Sequence, residues 1–217
     1  SQSRGLGDVY KRQQHVWCLN LIVAAIAFHH YQKAGYHIPR LTGLFVSASI
    51  PMAFVGGYLL VEGVIYDVLL SITLLWASIR LFKLNSDSED ASIEEPPVGQ
   101  AVSAGAGIGL LSGIVGIGGG VFLSPLVLLK RWATPKAAAA TAALFIWVNS
   151  AAALTGSYLS EGFFIDSETI IPFGSSVLVG GFIGSRLGAE VAPQRAVRLV
   201  LAFVLVFAGA RRLFTIL

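Results

Sequence analysis

The chain has 217 residues, 55% of them hydrophobic and only 12% charged, with a mean hydropathy of +0.74. A water-soluble globule of that length would lack the polar residues to cover its surface, so the composition is that of a polytopic membrane protein. The formal charge of +3 points to no nucleic-acid partner, and a single cysteine, Cys18, excludes an internal disulfide and a cysteine metal cluster.

In chain order, residues 1–13 stand apart. Asp8 to Gln13, DVYKRQ, reads as a translated sequencing adaptor, so 1–13 are expected to be foreign to the natural protein, which would begin with an earlier element of its own. Without them twelve basic and eleven acidic residues remain, a net +1. Apolar runs bounded by charge then predict seven membrane segments: 15–31, 41–60, 64–82, 101–129, 137–156, 169–187 and 196–214. Between the third and fourth, 85–99 (NSDSEDASIEEPPVG) has the acidic, proline-bearing character of a hydrated linker.

That linker divides an incomplete first repeat of three helices, 14–84, from a second repeat, 100–217, with a glycine-rich segment and three helices. The repeat rests on three ordered matches. Ala34-Gly35-Tyr36 pairs with Glu161-Gly162-Phe163, Ala53-Phe54-Val55-Gly56 with Gly181-Phe182-Ile183-Gly184, and Arg80-Leu81-Phe82 with Arg212-Leu213-Phe214, at separations of 127, 128 and 132 residues. The expected fold is all-α, a polytopic transmembrane bundle of two related repeats.

Loop charge orients the halves. Lys33 and Arg40, Arg80 and Lys83, Lys130 with Arg131 and Lys136, and Arg186 with Arg195 and Arg198 mark loops expected in the cytoplasm, while Glu62, Asp67 and Glu161 face outward and Arg211 and Arg212 break the pattern. This sorting requires the glycine-rich segment to enter and leave on one side, as a re-entrant pair of half-helices. Equivalent segments of the two halves then run in opposite senses.

The segment itself, AVSAGAGIGLLSGIVGIGGGVFLSPLVLL, has no charge in 29 residues. Gly105, Gly109 and Gly113 recur every four residues and form a smooth stripe for a neighbouring helix. Gly116-Ile117-Gly118-Gly119-Gly120 is clustered instead and predicts a break, after which 121–129 restart a helix despite Pro125. A restarted helix aims its first free N–H groups and its positive dipole end at whatever fills the break, which favours an anion.

Gly109-Leu-Leu-Ser-Gly113-Ile-Val-Gly116-Ile-Gly-Gly-Gly120, followed by Ser124-Pro125-Leu126, Thr134-Pro135-Lys136-Ala137-Ala138, Gly180-Gly181-Phe182-Ile183-Gly184-Ser185-Arg186-Leu187 and Ala208-Gly209-Ala210-Arg211-Arg212-Leu213, resembles the sulfite exporter TauE/SafE family. The resemblance covers nearly all of 101–217 and, less sharply, 15–82. It implies a multi-pass inner-membrane permease of two repeats that moves small, often sulfur-containing anions such as sulfite or organosulfonates. Where many members carry Ala-Thr-Ser, this chain has Ala140-Thr141-Ala142, and the family's first-repeat glycine motif is missing.

Other polar residues lie within the spans. Asn149 and Ser150 need partners at membrane depth, Thr141 shares the face of Asn149 two turns earlier, and Asn20 occupies a comparable place in the first half. The candidate substrate-binding set is therefore Gly116, Gly118, Gly119, Gly120, Ser124, Thr141 and Asn149. His29 and His30 read as interfacial, Arg186 as reaching to headgroups, and Trp17, Trp76 and Trp132 as interface anchors, with Trp147 too central in its helix for that role. The expected partners are a small anion and the lipid bilayer, with no catalytic role, cofactor or metal. Whether a proton or sodium ion is coupled, and the oligomeric state, stay open. The alternatives are an intramembrane serine hydrolase using Ser112 with His29 or His30, and a structural membrane subunit that transports nothing.

Overall fold

Proline and glycine set helix limits that hydropathy leaves open. The computed structural model describes residues 2–59, 75, 79, 93–116, 118–163 and 166–216. Its helices are α1 (Gln2–Lys33), α2 (Pro39–Tyr58), α3 (Val98–Val115), α4 (Gly120–Leu129), α5 (Pro135–Glu161), α6 (Ser167–Arg186) and α7 (Gln194–Ile216), with a π-helical turn at Leu187–Val191 continuing α6. Pro39 and Pro135 each sit in the first turn of a helix, where the missing N–H costs nothing. Gly35 and Gly162, both at positive φ, follow the ends of α1 and α5.

Among the described residues, four helices are long and apolar enough to cross a membrane: Pro39–Tyr58, Val98–Val115, Pro135–Ser160 and Ile170–Val191. The protein is an all-α, multi-pass membrane bundle. The expected segment 64–82, with Trp76, lies outside the described residues apart from Leu75 and Ile79. α1 begins well before its apolar stretch, because hydropathy marks what suits lipid and not where helical hydrogen bonding starts.

Glycine contacts give the helix senses. A Cβ on Gly105 would strike the carbonyl of Phe45, one on Gly109 would lie 2.6 Å from Ser49 Cα, and one on Gly113 2.8 Å from Gly56 Cα, so α2 and α3 run parallel in close contact. The stripe is thus a packing surface. Likewise α2 and α5 are parallel, since Thr42 donates to Thr141 at 3.3 Å near one end and Gly156 meets Phe54 and Tyr58 near the other. α1 opposes α5, with Gln14 donating to Ser157 at 3.1 Å at one end and Tyr31 packed on Ala140 at the other. α6 runs alongside α1, with Val23 against Gly181 and Tyr31 against Gly188.

The glycine-rich segment is a hairpin. α3 starts beside Leu41 and Phe45, and α4 returns to the same end, where Glu94 N–H donates to the carbonyl of Arg131 at 3.0 Å and Trp132 packs on Phe45. The two arms are unequal, which departs from the expected pair of half-helices. α3 has 18 residues, roughly 27 Å at 1.5 Å per residue, and α4 has 10, roughly 15 Å. Close contact with α2 runs along the whole glycine stripe of the longer arm.

Two expectations about aromatic anchors change. Trp17 and Trp132 are buried within the protein rather than placed at an interface, because helix packing offers them more apolar contact than headgroups would. Trp147 is exposed on the perimeter of α5.

One end of the bundle is latched by a lysine. Lys136 is buried; its Nζ donates to the carbonyl of Ala189 in the π-helical turn at 2.9 Å and sits 4.9 Å from the centre of the Tyr36 ring, while its backbone N–H donates to Gln194 Oε1 at 2.8 Å. It ties the α1–α2 loop to α5 and α7. Lys136→Met, which strands the carbonyl and loses the ring contact, is expected to cost about 2 kcal/mol. A lowered thermal midpoint of the detergent-solubilised protein checks this; an unchanged midpoint would show the latch to be inert.

Candidate functional site

Gly116, Gly118 and Gly119 take φ of 78°, 77° and 74°, a left-handed backbone that side chains with a Cβ adopt only with strain. Gly116 closes α3, its N–H donating to the carbonyl of Ser112 at 3.0 Å. Gly119 is the N-cap of α4 and offers no side chain to the first turn; the N–H groups of Phe122 and Leu123 donate to its carbonyl at 3.0 and 3.2 Å. The N–H groups of Gly120 and Val121 precede those bonds and have no intrahelical acceptor. The break predicted from the glycine cluster is present, with Ile117 outside the described residues.

Three helices converge on it. Gly116 abuts Gln13 of α1, whose amide donates to the carbonyl of Ile114 at 3.1 Å. A Cβ on Gly118 would stand 2.9 Å from Asn20 Nδ2 and 3.4 Å from Ser150 Oγ. One on Gly119 would stand 2.8 Å from the Phe145 ring and 3.1 Å from Ser112 Cβ. Asn149 follows Phe145 by one turn on α5 and precedes Ala153, which packs on Gly57, so its amide lies on the face turned to α2 and the break.

These polar groups lack partners. Among the described residues, Ser112 Oγ, Ser150 Oγ, both amide atoms of Asn149 and Asn20 Nδ2 are buried without a hydrogen bond, and Ser112, Asn149 and Ser150 are wholly inaccessible. Each such group costs on the order of 1–3 kcal/mol if nothing else satisfies it. Trp17 Nε1 is also unpartnered, one turn from Asn20 on α1.

Of the residues singled out in the sequence, Gly116, Gly118, Gly119, Gly120 and Asn149 gather at or beside the break. Ser124 lies one turn beyond Gly120 on α4 and with it lines a cavity of about 430 Å³ between α1, α4, α5 and α6, where Asn20 and Ser185 supply the other small polar groups. Thr141 is on the stripe of Phe145 and Asn149, but its hydroxyl is paired with Thr42 on α2. Asn20, Ser112 and Ser150 join the cluster without having been placed in the expected set; their signal was a polar side chain inside an apolar run.

The serine–histidine arrangement is not assembled. His30 Nδ1 is 2.8 Å from Ser185 Oγ at the end of the bundle where α1 finishes, ten residues along α1 from the Asn20 level of the break, and His29 is exposed. Arg186 is exposed and pairs with Glu190 at 3.2 Å. In the α1–α2 loop, burial lowers the pKa of His37, which packs edge-on to Phe28.

A family model described as Sulfite exporter TauE/SafE matches residues 16–212. A protein described as probable membrane transporter protein y4hK, from Sinorhizobium fredii (strain NBRC 101917 / NGR234), is 32% identical over 199 residues, covering 90% of this chain and 79% of its own length. No solved structure gives a significant match.

Proposed function

The chain belongs to the sulfite exporter TauE/SafE family of membrane transporters, and from that premise we propose that it is a secondary permease for small sulfur oxyanions, sulfite or organosulfonates, in the cytoplasmic membrane. One observation carries the reading: unpartnered hydroxyl and amide groups of Ser112, Asn149, Ser150 and Asn20 surround the uncapped N-terminus of α4. An anionic head group would accept from the N–H groups of Gly120 and Val121 and from these side chains, with the helix dipole supplying positive potential and no buried lysine needed. The cavity running from Gly120 past Ser124 is walled mainly by alanine, glycine and valine, which suits the carbon part of an organosulfonate.

Helix senses support the two-repeat plan. α1 and α5 are antiparallel, as are α2 and α6, the opposed arrangement that an inverted repeat requires. The exposed cations Lys33, Arg40, Lys130, Arg131 and Arg195 gather at the end where α2, α3 and α5 begin, and the positive-inside rule puts that end in the cytoplasm.

The test is flux of labelled sulfite and of a short alkylsulfonate into proteoliposomes of the full-length natural protein, with imposed proton or sodium gradients to identify the coupling ion. Asn149→Leu separates function from packing. Leucine shares the branched shape of asparagine and carries no polar atoms, so the variant is expected to unfold at no lower a temperature yet transport at least about tenfold less, the two outcomes of removing an unsatisfied polar group that serves a ligand. Undiminished flux would take Asn149 out of the site.

A further inference from the structure

Below the break, α4 carries Ser124 into two cavities at once. The larger, of about 430 Å³, reaches up to Gly120 and Asn20. The smaller, of about 250 Å³, shares Ser124, Ala139 and Leu201 with it and has Arg198 of α7 in its wall. The two therefore adjoin through Ser124, and together they lead from the break towards the end of the bundle that carries Lys130, Arg131 and Arg195. Arg198 is only 5% exposed. A guanidinium is always charged and, where it is buried, draws anionic or polar partners. Lys136, the other buried cation among the described residues, holds the Ala189 carbonyl and the Tyr36 ring away from this cavity, while Arg198 and Ser124 line it together.

We propose that Arg198 and Ser124 form a second anion site, a relay between the glycine break and the basic end of the bundle, and that Arg198 sets the charge selectivity of the pathway. The inference rests on the permease reading for its substrate class, a sulfur oxyanion. It needs only that the guanidinium reach the cavity, since five donors in a planar fork can serve a structural neighbour and a passing anion together. Ser124, one turn from Gly120, is placed to hand the head group from the N–H groups of α4 to the guanidinium.

Two measurements on the full-length natural protein test it. In proteoliposomes, Arg198→Gln is expected to raise the KM for sulfite about tenfold or more, as loss of a charge-assisted hydrogen bond entails, with kcat less affected and Arg198→Lys restoring much of the loss. An unchanged KM for Arg198→Gln would overturn the relay while leaving the permease intact; absence of sulfite and sulfonate flux in the wild type would overturn the permease. The second measurement needs no transport. With Cys18→Ser as background, and with each rate divided by that reagent's rate with a free thiol, Ser124→Cys should react about tenfold faster with a sulfonate-bearing methanethiosulfonate than with its trimethylammonium counterpart, as a nearby buried cation dictates. Sulfite should also slow the reaction. Equal normalised rates for the two reagents would refute the site, even where Arg198→Gln fails to fold.

Discussion

Gly119→Leu is expected to abolish flux of a sulfur oxyanion while leaving membrane insertion intact. Gly119 holds φ 74° and ψ −17°, so any L side chain there costs about 1–2 kcal/mol in backbone strain alone. Its Cβ would fall 2.8 Å from the Phe145 ring and 3.1 Å from both Ile108 Cγ2 and Ser112 Cβ, and the rest of the leucine would fill the space that an anion needs beside Ser112. Leucine also favours continuation of the helix across the break. Insertion should survive because the change only raises hydrophobicity. Gly107→Leu is the control, since a Cβ at Gly107 meets nothing within 4 Å. Flux compared at equal membrane abundance decides; wild-type flux from Gly119→Leu would make the glycine break a packing feature only.

The largest effect on stability is expected from Gly113→Leu. By hydropathy the substitution should help a membrane helix, and by helix propensity as well. The tertiary contact reverses both. A Cβ on Gly113 would strike the carbonyl of Ala53 and lie 2.7 Å from Gly57 N and 2.8 Å from Gly56 Cα, all backbone atoms that cannot swing away. Gly57 in turn rests on Ala153 of α5, so α2 is held from both sides and cannot retreat. The cost should reach about 3 kcal/mol or more, the upper range for overpacking. Loss of monodisperse protein from detergent extracts, or a thermal midpoint lowered by many degrees, would show it. Gly43→Leu, on the open side of α2, should leave the midpoint unchanged. A Gly113→Leu protein as stable as wild type would mean that α2 and α3 do not pack through this stripe.

Several features were legible residue by residue. Glycines four apart could only make a stripe, whereas adjacent glycines could only loosen a helix, so 105–113 and 116–120 separate into packing surface and break on spacing alone. The hairpin followed from loop charge, because Lys130 and Arg131 had to share an end with Arg40. Other features were not. Arg198 read as a loop charge, although it lies within the apolar run 196–214 and is buried on a cavity wall. Trp17 and Trp132 read as interface anchors on residue type, and packing against neighbours prevailed.

Thr141 shows where the boundary falls. Periodicity correctly put it on one face with Asn149, but α2 crosses that face at the level of Thr141 and takes its hydroxyl through Thr42. By itself the sequence determined the membrane class, the spans of α2, α3, α5 and α6, the glycine break and the direction in which each polar side chain leaves its own helix, because these follow from local hydropathy, backbone freedom and a fixed 3.6-residue period. Only the tertiary structure decided which of those directions meet. Asn20, Ser112 with Gly118, and Ser150 come from three separate stretches of chain, and their convergence depends on the relative height and rotation of α1, α3 and α5. Those are set by contacts between residues distant in sequence, such as Gly113 on Ala53 and Gln14 on Ser157, about which no single helix carries information.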